Sequence, residues 1–272
     1  MPLTHPLPHR SASAARKAVL PGAACPPADG VPVGMFRSVR ITGALPDPLS
    51  TWCVTTSLRP VADAAAKLLG GTVQPSPSAD STFEVLTDAA EVEVVVDSPR
   101  DIRSEMKLWD RTGLTHHCDG QVFLADDRRR GTTCGCPASL AARRQRARSG
   151  RGPLAHTLTR FRLADAPLLG AFLHESLSWE LAEEVGALRA AAARAQGPSR
   201  FKLRLTETEL AVPGLRAMSV RRPVLDFVAP VTSALVSGHA ACVRSVAEAA
   251  RSARTVVQAV LGRRPRSCLG SP

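Results

Sequence analysis

The sequence predicts an α+β protein: a mixed sheet and helix domain holding a small cross-linked module, a second portion built on a β-hairpin, and a C-terminal helix. Three observations lead there. Short β-branched or alternating runs recur at 50–56, 82–87, 92–96, 158–164 and 201–206. Two segments carry helix start and stop signals, one from Pro60 to Gly70-Gly71 and one from Ser178 to Gly197-Pro198. Three of the seven cysteines crowd beside two histidines within residues 116–136, too close together for the spread framework of a small secreted fold.

Taken in order, residues 1–33 are rich in Pro, Ala, Ser and Gly without periodicity and predict a disordered arm. Order begins near Met35-Phe36-Arg37, and Trp52-Cys53-Val54 sits in the first clear strand. Pro60 opens a helix through Leu69, because proline is tolerated in a first turn and Gly70-Gly71 ends it. Strands at 82–87 and 92–96 follow, while 101–109 fits helix or strand equally. Ser139-Leu140-Ala141-Ala142 is helix-like, and Gly150-Arg151-Gly152-Pro153 marks a boundary, giving expected portions 34–150 and 151–228. In the second portion, 179–195 is a helix capped by Ser178. Residues 201–206 and 215–227, separated by Pro213-Gly214, form a hairpin. Residues 229–272 supply an alanine-rich helix and a basic tail. A weak heptad (Leu235, His239, Cys242, Val246, Ala249) makes only a thin coiled-coil seam.

Composition narrows the classes. An apolar fraction of 44% excludes disorder throughout, and no run approaches the roughly 20 apolar residues of a membrane helix. The start lacks a secretory signal, so a soluble, cytoplasmic protein is expected. Lys+Arg of 35 against Asp+Glu of 24 gives a net charge of +11, which favours polyanions or acidic surfaces. The surplus is uneven. Acids outnumber bases from 80 to 127, then Arg128, Arg129, Arg130, Arg143, Arg144, Arg146, Arg148 and Arg151 follow with no acid among them. The segment 143–151 is therefore a candidate contact for a partner or for nucleic acid through Arg143, Arg144, Arg146, Arg148 and Arg151; a solvated helix face is the simpler alternative.

The sharpest chemistry lies in Thr115-His116-His117-Cys118-Asp119-Gly120 and Thr133-Cys134-Gly135-Cys136-Pro137. Three thiolates and one imidazole make a Cys3His set that suits structural zinc and leaves no open position for water. On a strand His116 shares a face with Cys118, so His116, Cys118, Cys134 and Cys136 are the candidate ligands, with His117 as the alternative to His116. Cys134 and Cys136 converge if Gly135 turns or if the segment is extended. Ordinary reduced cysteines are the competing reading. No His-Glu-x-x-His pair is present.

The run Asp101-Ile102-Arg103-Ser104-Glu105-Met106-Lys107-Leu108-Trp109, with Gly113, His116-His117-Cys118-Asp119-Gly120 and Cys134-Gly135-Cys136-Pro137 after it, resembles the recombination directionality factor-like proteins of actinobacterial phages and integrated elements. Val54-Thr55-Thr56, Leu68-Leu69-Gly70-Gly71, Ser149-Gly150-Arg151-Gly152-Pro153 and Phe161-Arg162-Leu163-Ala164-Asp165 share in the resemblance, which spans about 35–227 in one order. It implies a non-enzymatic accessory protein that binds a large serine integrase and favours excision. DNA would be touched weakly or only through that complex, with no small-molecule substrate and no membrane. The alternative from the residues themselves is a zinc-knuckle nucleic-acid-binding regulator. Leu177-Ser178-Trp179 and the absence of tyrosine depart from the family pattern.

Overall fold

In the computed structural model, residues 30–41, 46–124, 128–210 and 218–231 are described. The period-two and β-branched runs become strands: β1 (Gly34–Ile41), β2 (Pro46–Thr56), β3 (Thr72–Pro75), β4 (Phe83–Leu86), β5 (Glu91–Val96), β6 (Ile102–Asp110), β7 (Gly113–Cys118), β8 (Leu154–Leu163), β9 (Ala171–Ser176), β10 (Ser199–Leu210) and β11 (Met218–Pro230). Three helices join them: α1 (Arg59–Leu69), α2 (Leu140–Arg148) and α3 (Trp179–Arg194). The protein is α+β, dominated by its sheet.

The strands share one sheet in the order β11-β10-β5-β8-β9-β1-β2-β4-β3, with β6 and β7 branching from β8. All pairings are antiparallel except β1 with β9, which match only over Gly34–Phe36. Along one edge of β8, residues 154–159 bond β6 and Arg162-Leu163 bond β5. The chain leaves β5 through a single 3-10 turn, Pro99–Asp101, and re-enters the same edge as β6. Ser98 caps that turn, donating its own amide to Asp101 and accepting one from Arg100. The sheet forks there, and the β6–β7 ribbon becomes an arm. Strands from both sides of the expected 150/151 boundary thus lie in the same sheet.

The core sits where α1 and α3 cover the sheet. α3 buries Leu181, Val185, Leu188 and Ala192, a stripe at helical spacing, and Ser178 accepts the Leu181 amide at 3.2 Å. α1 buries Val61, Ala62, Ala64 and Ala65. Phe36 is the centre of an aromatic group, its ring 5.2 Å from Phe161, 5.4 Å from Phe172 and 6.0 Å from Trp52. His174 lies fully buried against Trp52, its Nδ1 bonded to the Phe36 carbonyl at 3.0 Å. Burial lowers its pKa to about 4, against the opposing pull of the Phe36 carbonyl and the Glu175 charge. Buried Glu84 is held by Arg40 and by Gln74. The neighbouring Cys53 thiol is pushed up to about 12 by burial and by that carboxylate.

The segment 101–109, which the sequence leaves open, is strand β6, because β7 and β8 both pair with it. Of the expected arm, Val33 is buried and its amide bonds the Ala171 carbonyl at 2.7 Å. The expected helix at 233–261 lies outside the described residues. Among the described residues, no helix is long and apolar enough to cross a membrane.

Candidate metal centre

Strand alternation builds the first half of the site. On β7, His116 and Cys118 point to one face, with Nε2 and Sγ 3.1 Å apart. His117 points to the other, where its Nε2 lies 2.7 Å from the Glu105 carboxylate. Past Cys118 the Asp119 carboxylate accepts the amides of Gln121 and Val122, both at 2.8 Å, and closes a tight turn. Gly120, at φ 95°, turns its own amide onto Cys118 Sγ at 3.3 Å. Its left-handed backbone and the Arg143 guanidinium packed against it leave no room for a side chain.

The second half folds back on the first. The Phe123 amide reaches Thr132, the Cys134 amide donates to the Gln121 carbonyl at 2.9 Å, and Val122 bridges Thr133. Gly135 has φ 71°, a left-handed turn that swings Cys134 and Cys136 to the same side. The four donor atoms of His116, Cys118, Cys134 and Cys136 all lie within 4.8 Å of one another. Cys118 Sγ is 3.7 Å from Cys136 Sγ, which is 3.5 Å from His116 Nε2. A tetrahedral ion with metal–sulfur bonds of about 2.3 Å sets donors roughly 3.8 Å apart. Spacing and donor chemistry fit a metal site.

Electrostatics point the same way for the histidine and the opposite way for the thiols. Burial, then the charges of Arg129 and Arg146, lower the His116 pKa and keep the imidazole neutral, its ligand form. Burial raises the Cys118 and Cys136 thiols; a coordinated ion reverses that by removing the proton. The amide of Gly120 on Cys118 is the kind of outer contact that steadies a thiolate. Around the donors pack Met106, Phe123, Ala155, Leu140 and Trp179, a small apolar cluster apart from the main core.

The structure divides the arginine run by role. Arg143 donates to the carbonyls of Pro137 at 2.6 Å, Gly120 at 2.9 Å and Ala138 at 3.2 Å, clasping both halves of the knuckle. Nothing in the run of cations marked it out for that work. Arg144 reaches Glu180 at 2.5 Å and Glu183 at 3.6 Å, tying α2 to α3. Arg146, Arg148 and Arg151 are exposed and take no acid partner among the described residues.

A second feature lies at the fork. Beyond Ser176, where β9 ends, β1 runs on with no strand on that side among the described residues, and a groove of about 250 Å³ opens. Val39, Trp109 and Leu177 line it, 39%, 48% and 54% exposed. His156 packs on the Trp109 ring at 6.1 Å and stands 3.7 Å from Glu175. The His156 imidazole beside it holds the Glu175 carboxyl below its ordinary range. Alternation along a strand would have shown that Trp109 and Leu108 face opposite ways, but not which side meets water.

The sequence model of a family described as Gp3-like, recombination directionality factor-like, matches residues 27–228, a span holding the fork, the donor cluster and the β10–β11 hairpin. No solved structure matches the chain.

Proposed function

The chain belongs to the Gp3-like, recombination directionality factor-like family, and from that premise we propose that it is a non-enzymatic accessory protein that binds a large serine integrase and biases it toward excision. The family match across 27–228 is the observation that carries this reading. Such a bias needs no chemistry of its own. Moving a two-state partner from 1:99 to 99:1 takes about 5.5 kcal/mol of differential binding.

Zinc is the proposed ion for His116, Cys118, Cys134 and Cys136. One imidazole and three thiolates suit it, and four protein donors close the coordination sphere, so its role is to hold the knuckle's shape. For the protein contact we assign the groove of Val39, Trp109 and Leu177. Exposed tryptophan beside aliphatic side chains is the composition of an interface centre.

The test is capture of purified integrase by the full-length chain at moderate salt after nuclease treatment. Capture without DNA is the expected result, and Trp109→Ala should weaken it by about 30-fold or more, the loss at an interface hot spot. Retention of integrase only through DNA, lost as salt rises, would instead make the chain a knuckle-type nucleic-acid-binding regulator.

A further inference from the structure

We propose that the arginine face beside the knuckle, presented by Arg146, Arg148 and Arg151, binds the phosphate backbone of duplex DNA directly and without reading base sequence. It concerns a different surface from the Trp109 groove and is tested on the chain alone, so it stands or falls apart from the integrase reading.

Elsewhere on the sheet, cations are held by acids on other strands. Along the β5–β10–β11 end of the sheet, Arg200 pairs with Glu93, Lys202 with Glu91 and Arg204 with Asp226. At the other end Arg40 pairs with Glu84. Beside the knuckle the pattern stops. Arg143 and Arg144 are consumed by the fold, but Arg146, Arg148 and Arg151 have no acid opposite them among the described residues, and 128–153 contains no Asp or Glu. Asp119, which lies close enough to feel the Arg143 charge, accepts two amides of its own turn with Oδ1.

Arg146 and Arg151 lie together, and Arg148, two residues from Arg146 on α2, extends the exposed charge around the end of the helix. The amide of Arg151 donates to the Arg146 carbonyl at 3.2 Å, and Gly152 packs on the Arg146 side chain, so the loop folds back along α2. On the other flank Arg129 lies over the Phe123 ring at 4.3 Å, next to His116. Arg129 also donates to the Thr115 carbonyl at 3.3 Å, so the proposed face is that of α2 and the loop after it.

What such a face meets is decided by what it lacks. The centre of a protein–protein interface needs apolar surface to desolvate. Among the described residues from 115 to 153 no large apolar side chain is exposed, and only Leu114 and Leu154, 45% and 39% exposed, border the segment in sequence. Phosphate contacts need none: their free energy comes from counterion release, and a guanidinium fork takes two phosphate oxygens at once. The groove at the fork has the opposite make-up. An acidic protein surface is the competing partner and an outcome of the experiment.

The experiment is fluorescence anisotropy of the full-length chain on a short labelled duplex of arbitrary sequence, titrated from about 50 to 200 mM salt. Binding that weakens steeply with salt is expected. The triple variant Arg146→Gln, Arg148→Gln, Arg151→Gln should lower the slope of log K against log salt by about 2.7, and Arg148→Gln alone by about 0.9. Arg189→Gln with Arg194→Gln, exposed on the later half of α3, should leave the slope unchanged. No duplex binding by the wild type at the lowest salt would overturn the proposal. So would an unaltered slope in the triple or single variant, including one that melts earlier because α2 has lost cations from its last turn. An equal drop in the α3 variant overturns it as well.

Discussion

The main core and the knuckle are held together by different means. Around Phe36 the chain buries four aromatic rings with Val54, Val85, Val94 and Ile102, and apolar burial alone accounts for a fixed structure there. The knuckle buries few apolar side chains: Cys118 and Phe123 on its own segment, against Met106, Ala155 and Ala182 from neighbouring elements. In place of mass it has four donor atoms and one arginine bridging three carbonyls. Where a segment is too short to build a core, cross-links have to set its shape.

The widest separation between the two regions should come from the metal. Cys118→Ser, or chelation of the wild type, should remove the ion's contribution, about 10 kcal/mol or more in zinc-finger peptides. Amide exchange should then open across 115–153 while β1, β2 and β9 stay protected. Equal loss of protection in both regions would merge them into one cooperative unit. Stoichiometric metal in the isolated wild type, absent from Cys118→Ser, is the companion measurement.

Phe36→Ala strikes the other region. Deleting a buried phenylalanine should cost about 3–5 kcal/mol in urea unfolding, with metal content unchanged in whatever fraction remains folded. A loss of bound metal at denaturant concentrations where the core is still native would contradict the division.

His174 gives the core a pH response. In the unfolded chain its imidazole takes a proton as pH falls through about 6.5, whereas in the folded protein it resists until about 4. The unfolded state therefore binds more protons between those values. This contribution is fully present above about 6.5 and falls as the pH drops to 4, by about 3 kcal/mol in all. Urea midpoints measured across that range should fall less steeply for His174→Gln than for the wild type.

The smallest effects compare adjacent arginines. Arg143→Ala should cost about 1.5–3 kcal/mol, because partly buried carbonyls lose a charged donor, and it should loosen the knuckle first. Arg144→Ala breaks a surface pair with Glu180 and should cost less than about 1 kcal/mol. Similar losses at both positions would mean that the clasp adds nothing beyond ordinary surface pairing.

The sequence by itself determined whatever is local. Ser178 and Ser139 cap their helices through amides three residues on. Pro60 and Gly70 bound α1, period two marks β10, and alternation places His116 with Cys118 and turns His117 aside. Each depends on neighbours a few residues away. Only the tertiary structure decided what depends on distant partners. Residues 102–110 are a strand because β7 and β8 flank them, the latter about fifty residues later. Arg143 became a clasp and Arg146 stayed exposed because the knuckle, not the helix, supplies the acceptor carbonyls. Trp109 faces water because β9 stops at Ser176 while β1 runs on. Spacing fixes which side chains share a face, but which face is covered depends on how distant parts of the chain pair.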